Sequence, residues 1–168
     1  PIMVTTGADD GTGRKRLTPK DLVVYQGLID DAGIPDGNGR IMVLSAQHYN
    51  DLLLEFVSGD NKRAQLANLN QGKLDMMIAD FELYKYLNNP HFTAAGAKVA
   101  FGAVPPAGAA KASVFFYADD MFKASGLTKN YTDEPDTQTQ EWRYNIRHNY
   151  IVLPRKQRAM GAIRNGAV

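Results

Sequence analysis

Polar and apolar side chains alternate strictly near the C-terminal end of this 168-residue chain. This pattern limits the possible folds of the chain more than any other feature of its sequence. Residues of one parity are charged or carry an amide: Glu141, Arg143, Asn145, Arg147 and Asn149. Residues of the other parity are large and mainly apolar: Trp142, Tyr144, Ile146, His148 and Tyr150. Because side chains of a strand alternate between two faces, the pattern predicts one long half-buried strand. Pro154 bounds this strand.

Two segments have the pattern of amphipathic helices. The first begins at the N-cap Thr18, has Pro19 at its first position and is expected over residues 18–32, with Gly33 as its left-handed stop. The second is expected over residues 45–57, with Ser45 as its N-cap and a short buried strand directly before it. Apolar side chains recur along both at helical spacing.

Further strands are expected at 73–86, bent or divided near residues 79–80, and at 114–118, followed by a short helix that Asp119 and Asp120 cap. A closing strand is expected at 159–163. Two other segments, residues 1–16 and 93–112, are rich in glycine and read as loops, the first of them flexible. The fold class that follows is α+β, with a central, mostly antiparallel sheet flanked by helices.

Composition excludes several classes of function. Nineteen basic and eighteen acidic residues leave a formal charge of +1, so the chain lacks the strong positive field of a dedicated nucleic-acid-binding protein. Cysteine is absent, which removes disulfides and thiolate metal sites and suits a reducing compartment. No apolar run is long enough to span a bilayer, so we expect no membrane partner. The chain opens at Pro1 without an initiating methionine, and we expect it to be part of a longer protein.

The side chains that could take part in catalysis or bind a metal do not form a recognisable set. The loop from Gly7 to Gly13 precedes a lysine, but its spacing differs from that of a phosphate-binding loop. The three histidines, His48, His91 and His148, lack the spacing of a metal motif, and a hydrogen-bonded core histidine is the better reading of His148. We therefore expect no catalytic, cofactor-binding or metal-binding residues and no enzymatic activity.

The charged face of the long strand is the candidate contact surface. Glu141, Arg143 and Arg147 lie on it, and the basic character continues to Arg155. A nucleic-acid-binding face would combine basic and aromatic side chains, but here the aromatic side chains point to the other face of the strand. Salt bridges to a neighbouring subunit or simple solvation are therefore the favoured uses. The loop at residues 93–112 is a second candidate contact region.

Three segments, taken in order, resemble the tailed-phage major capsid protein family, whose members share the Hong Kong 97-type fold. The first runs from Arg16-Leu17-Thr18-Pro19 to Asp31-Ala32-Gly33-Ile34-Pro35 and is similar to a long peripheral-domain helix. The second, Gly39 to Leu53, is similar to the strand and helix that begin the axial domain. The third comprises Trp142–Tyr150 and Ala159–Gly166 and looks like the return and closing strands. Between the second and third segments, Asp80-Phe81 departs from the family's usual turn.

The resemblance implies a division of the chain and a structural role. Residues 1–16 would be a flexible segment, 17–39 and 141–168 peripheral-domain-like, and 40–140 axial-domain-like, with the family's N-terminal arm and extended loop lacking. The implied function is a subunit of a phage or prophage capsid that assembles with copies of itself into hexamers, pentamers and an icosahedral shell around DNA. Assembly would take place in the bacterial host cytoplasm and the product would be the virion.

Other functions stay open beside this one. An accessory tail or decoration module of a mobile element is one alternative, although the two helices are unusual for such all-β proteins. A small α/β hydrolase is the second, although the sequence offers no spaced acid and histidine set. The resemblance also allows weak nonspecific contact with packaged DNA.

Overall fold

The computed structural model describes residues 1–36, 39–58, 67–68, 73–74, 77–133 and 142–167. Its helices are α1 (Pro19–Asp31) and α2 (Ala46–Ser58). Its strands are β1 (Ile2–Val4), β2 (Arg14–Lys15), β3 (Arg40–Leu44), β4 (Ala67–Asn68), β5 (Lys73–Leu74), β6 (Met77–Ile78), β7 (Phe81–Lys85), β8 (His91–Phe92), β9 (Ala110–Lys111), β10 (Ser113–Tyr117), β11 (Met121–Ser125), β12 (Lys129–Asp133), β13 (Arg143–Arg147), β14 (Tyr150–Pro154), β15 (Met160–Arg164) and β16 (Gly166–Ala167). Neither described helix has the length and apolarity to cross a membrane.

A six-stranded sheet forms the centre of the molecule, in the order β1-β15-β10-β3-β7-β6. Strand β10 is antiparallel to both β15 and β3, and β6 is antiparallel to β7. The pairings of β1 with β15 and of β3 with β7 are parallel. The fold is therefore α+β, as the sequence predicts, with a mixed sheet in which three of the five pairings are antiparallel.

Helix α1 begins where the sequence predicts because its first turn satisfies its own backbone donors. The Thr18 side chain accepts a hydrogen bond from the Asp21 backbone N–H, and the Asp21 carboxylate accepts one from the backbone N–H of Thr18. This reciprocal capping box is stabilising at a helix N-terminus. The helix packs Leu22, Tyr25 and Ile29 into the core, each with no exposed surface.

Aromatic side chains connect α1 to the central sheet. Tyr25 lies 6.0 Å, centroid to centroid, from both Phe81 of β7 and Phe115 of β10, and those two rings lie 5.6 Å apart. The two contacts of Phe115 have edge geometry, which aromatic pairs favour. The Tyr25 hydroxyl donates a hydrogen bond to the Pro1 carbonyl, and burial raises the pKa of that hydroxyl.

The N-terminal residues take part in two strand pairings, and the flexibility expected of residues 1–16 stays a prediction. Strand β1 adds a parallel edge to the central sheet, and β2 pairs with β16. The Asp9 and Asp10 carboxylates accept hydrogen bonds from the backbone N–H groups of Gly11 and Thr12. The glycine content favours a turn, whereas the partner strands, which lie far along the chain, cannot be seen in the local composition.

Strands β6 and β7 form a tight hairpin at the position that the broken alternation predicts. Ala79 and Asp80 form its turn, and both have positive φ, at 51° and 60°. The predicted helix after Asp119 is wrong: residues 118–120 form one 3-10 turn and strand β11 follows at once. The two aspartates suggest an N-cap, but the β-type pairing of β11 with β14 overrides that local preference.

Candidate assembly surface

Residues 121–133 and 142–154 form a long two-stranded ribbon, which we call the arm. Strand β11 pairs with β14 at its base and β12 pairs with β13 farther out, both antiparallel. The register changes by one residue between the two ladders, because Ser125 pairs with Tyr150 whereas Lys129 pairs with Arg147. Leu127 is the extra residue, and such a bulge bends a ribbon.

Hydrogen bonds hold the arm together on both sides of this bulge. The Gly126 backbone N–H donates to the Asn149 carbonyl at 2.7 Å, and Thr128 Oγ1 lies 2.7 Å from His148 Nδ1. The described arm strands pair only with each other and not with the central sheet. Their side chains are exposed throughout β12 and β13 and at every position of β14 except Pro154.

One face of the arm carries the apolar residues of the alternating sequence pattern, and we call it the aromatic face. It comprises Trp142, Tyr144, Ile146 and Tyr150, with exposed fractions of 58%, 72%, 70% and 68%. The Trp142 and Tyr144 rings stack at 6.4 Å, and the His148 and Tyr150 rings stack at 5.9 Å. Asn130 and Thr132 face Ile146 and Tyr144 from the neighbouring strand.

The exposure of this face corrects the sequence prediction. A strand is present at Arg143–Arg147, but its apolar side is not buried, and His148 is an exposed residue rather than a core histidine. Alternation shows that two faces differ in polarity, and it does not show which element covers the apolar one. Within the described residues, nothing covers this one.

The opposite face of the arm carries the candidate contact residues. Arg143 and Arg147 are exposed there, opposite Asp133 and Lys129 respectively. Glu141, the third candidate on this strand, lies outside the described residues. The sequence therefore grouped the two arginines correctly on one face, while their role as subunit contacts stays a prediction.

Arg155 lies at the base of the arm, apart from the other two arginines. Its backbone N–H donates to the Asp120 carbonyl at 2.7 Å, and its side chain is exposed. The adjacent Lys156 ammonium lies 3.2 Å from the Asp120 carboxylate. These contacts join the two strands where they leave the central sheet, so the arm has a defined root.

The second candidate contact region, residues 93–112, borders an open groove of about 870 Å³. The groove is also lined by Arg14, by Arg164 and by the first residues of α2. Arg164 donates a hydrogen bond to the Ala94 carbonyl and so attaches the region to β15. Phe101 and Val104, farther along the same segment, are almost fully exposed, at 105% and 89%.

A buried polar chain lies beneath this groove and connects three elements. His48 of α2 lies 2.7 Å from Ser113 Oγ through Nδ1 and 2.5 Å from Asn165 Oδ1 through Nε2. Since the Asn165 oxygen only accepts, Nε2 must be the protonated nitrogen, and Ser113 then donates to Nδ1. The Ser45 backbone N–H completes the chain by donating to Ser113 Oγ.

This serine and histidine pair is unsuited to nucleophilic catalysis. Neither Ser113 nor His48 has any exposed surface, so no substrate reaches the hydroxyl. Burial lowers the pKa of His48 to about 4, and the Asn165 hydrogen bond only partly opposes that shift. The histidine is therefore neutral near pH 7 and holds α2, β10 and the end of β15 together. His48 falls within the helix expected over residues 45–57, but only the tertiary contacts identify its partners.

A second buried polar cluster attaches the N-terminal region to α2. The Arg14 guanidinium donates to both Asp51 carboxylate oxygens, at 2.6 and 2.8 Å, and the Leu17 backbone N–H donates to Asp51 at 3.0 Å. The Asp51 side chain is 4% exposed and that of Arg14 is 13% exposed. No local pattern in the sequence indicates this pair, because its members are 37 residues apart.

Across the described part of the chain, no three histidine or acidic side chains come together in a way that could hold a metal ion. Two of the acidic side chains take part in structural contacts instead. Asp30, for example, lies 2.6 Å from the Arg40 guanidinium, whose side chain has no exposed surface. Asp120 takes part in the root of the arm.

Comparison with known proteins identifies the fold. No protein-family model matches the sequence, and no curated protein matches it. A solved chain of Mycobacterium phage Che8 superimposes with a TM-score of 0.59 at 13% identity, over 96% of this chain and 52% of that one. A chain from the capsid structure of the cyanophage P-SCSP1u gives 0.56 at 12% identity, over 96% and 51%. This chain spans about half the length of either, and the fold is that of these phage proteins.

Proposed function

We propose that this chain is a structural subunit of a phage or prophage capsid, with the Hong Kong 97-type fold, that assembles with copies of itself around DNA. The observation that carries the proposal is the superposition of 96% of the chain on a chain from a cyanophage capsid structure. Hexamers and pentamers are the expected assembly units, the host cytoplasm the place of assembly, and the virion the final location.

The surface chemistry of the arm supports a role in assembly. Soluble monomers rarely expose a contiguous apolar patch larger than a few hundred Å², and such patches mark interaction sites. The aromatic face is a patch of this kind on an otherwise near-neutral molecule. The exposed Arg143 and Arg147 on the other face suit contacts with acidic side chains of a neighbouring subunit or weak nonspecific contact with DNA.

An enzyme is the poorer alternative. A hydrolase needs a nucleophile that its substrate reaches, and the serine that lies beside a histidine is fully buried. An accessory tail or decoration module is compatible with an exposed arm, but the superposition over nearly the whole chain favours the shell subunit.

Light scattering and negative-stain imaging of the purified chain over a wide concentration range test the proposal. We expect rings, capsomer-sized oligomers or shells that grow with concentration. A strictly monomeric chain at the highest concentration would contradict self-assembly and would favour the accessory module.

A further inference from the structure

We infer that the aromatic face of the arm docks on the same face of a second copy, in a contact with two-fold symmetry. The inference rests on the proposed function, since it names one contact through which the subunits associate. A two-stranded ribbon alone is marginally stable in water, so an isolated arm with a large apolar face requires a covering surface.

The area of the face suits a specific contact. Aromatic side chains bury roughly 150–250 Å² each, and the four large residues of the aromatic face are about three-fifths to three-quarters exposed. Together they offer on the order of 500 Å² of apolar surface. A stable interface buries about 800 Å² per partner, so this face alone supplies more than half of that area.

The distribution of charge indicates that a second copy of the chain covers the aromatic face. Within the described ladder of β12 and β13, this face carries only Asn130 and Thr132 beside its apolar side chains, so two identical faces meet there without facing like charges. The one described basic side chain of the face, Lys123, lies opposite Val152 near the base. In the same ladder the opposite face carries Lys129, Arg143 and Arg147 against Asp133, so two copies of that part repel each other. An isologous contact requires one self-complementary patch, and of the two faces of this ladder the aromatic face meets that condition.

The geometry of stacked sheets also fits this arrangement. Two ribbons that pack face to face lie about 10 Å apart and interdigitate their side chains, as in a sandwich. The rings of Trp142 and Tyr144, and those of His148 and Tyr150, already lie side by side on this face, so docking does not have to bring them together.

Matched cysteine variants test the contact, because the chain contains no cysteine. Asn130→Cys places a thiol on the aromatic face, and Asn145→Cys places one on the opposite face of the same ribbon, both at exposed positions. Each full-length variant is treated with a bis-maleimide whose span matches the sheet spacing of about 10 Å. We expect a covalent dimer from Asn130→Cys and almost none from Asn145→Cys. Equal yields from the two variants, or none from Asn130→Cys, would overturn the inference.

A second pair of variants measures the affinity without crosslinking. Tyr144→Ser removes a central aromatic side chain, and Asn145→Ser is the control on the opposite face. Loss of an aromatic anchor weakens association by about 30-fold, and we expect that shift in the dimer dissociation constant for Tyr144→Ser alone. Circular dichroism checks that each variant is folded. If the unmodified chain forms large assemblies while Tyr144→Ser and Asn145→Ser associate equally well, this contact is wrong and the proposed function stands. If the unmodified chain is monomeric at every concentration, both fail.

Discussion

Asp51 is the residue whose loss we expect to destabilise the described core most clearly. In Asp51→Asn, an amide N–H₂ group would face the Arg14 guanidinium in place of a carboxylate oxygen, and a largely buried cation would keep only Asp10, at 2.8 Å, as its counter-charge. Breaking a buried ion pair on one side costs about 3 kcal/mol, and the remaining pair with Asp10 offsets part of that cost. We expect a clear fall in the urea midpoint of unfolding, whereas the exposed Glu55→Gln on the same helix leaves it unchanged. Equal midpoints would show that the pair contributes little.

His48 makes the stability of the molecule depend on pH. Its pKa is about 4 in the folded chain, and an unfolded histidine has a pKa of about 6.5. The unfolded state therefore binds more protons between these values, so the stability that this group contributes is present above pH 6.5 and is lost as the pH falls toward 4. The carboxylates of Asp51 and Asp21 oppose the shift and Arg14 adds to it.

We expect His48→Gln to flatten this dependence. Urea midpoints at pH 7.0 and 5.0 measure it, and the difference between them should be smaller in His48→Gln than in the unmodified chain. The exposed histidine provides the control, since His148→Gln should leave the difference unchanged. An unchanged difference in His48→Gln would contradict the assignment to His48.

At the level of single residues, the sequence predicted roles that depend on near neighbours and failed where partners lie far along the chain. Thr18 and Pro19 have the predicted roles at the start of α1, where the Asp21 carboxylate completes the cap within the same turn. His148 was assigned to a core because its parity is apolar, yet it is exposed and bonds to Thr128. Burial is a property of the assembled elements, so local spacing alone cannot provide it.

At the level of elements, substitution by alanine at two glycines should change the stability of the folded chain in opposite directions. Gly161 lies in β15, where a Cβ would lie 2.1 Å from the Tyr25 hydroxyl and 2.5 Å from the Pro1 carbonyl oxygen. Overpacking of this kind costs about 1–3 kcal/mol. Gly27 lies within α1 with open space around its Cβ position, and alanine is favoured there by about 0.8–1.0 kcal/mol.

Thermal and urea unfolding of Gly161→Ala and Gly27→Ala measure both effects. We expect the first variant to melt at a lower temperature and the second at a higher one than the unmodified chain. A stabilised Gly161→Ala would show that α1 and β15 are not in close contact in solution.

The elements themselves were predicted more accurately than their neighbours in space. The helices expected at 18–32 and 45–57 lie at Pro19–Asp31 and Ala46–Ser58, and the closing strand expected at 159–163 lies at Met160–Arg164. Their periodicity and caps are local signals. The parallel pairing of β1 with β15 joins residues about 160 positions apart, and no periodicity encodes it. For the same reason the arm was expected as one strand of a core and is a separate ribbon.

The whole molecule divides into a sheet with its own core and an arm that contributes no strand to it. Replacement of residues 126–149 by Asn-Gly should therefore leave the core folded, because the two-residue turn closes the hairpin at the pair Ser125 and Tyr150. We expect the urea midpoint to change little and the dimer to be lost, since most of the aromatic face is removed. Light scattering and urea unfolding of the shortened chain measure the two quantities separately. Loss of folding would show instead that the arm stabilises the central sheet, while an intact dimer would place self-association elsewhere on the molecule.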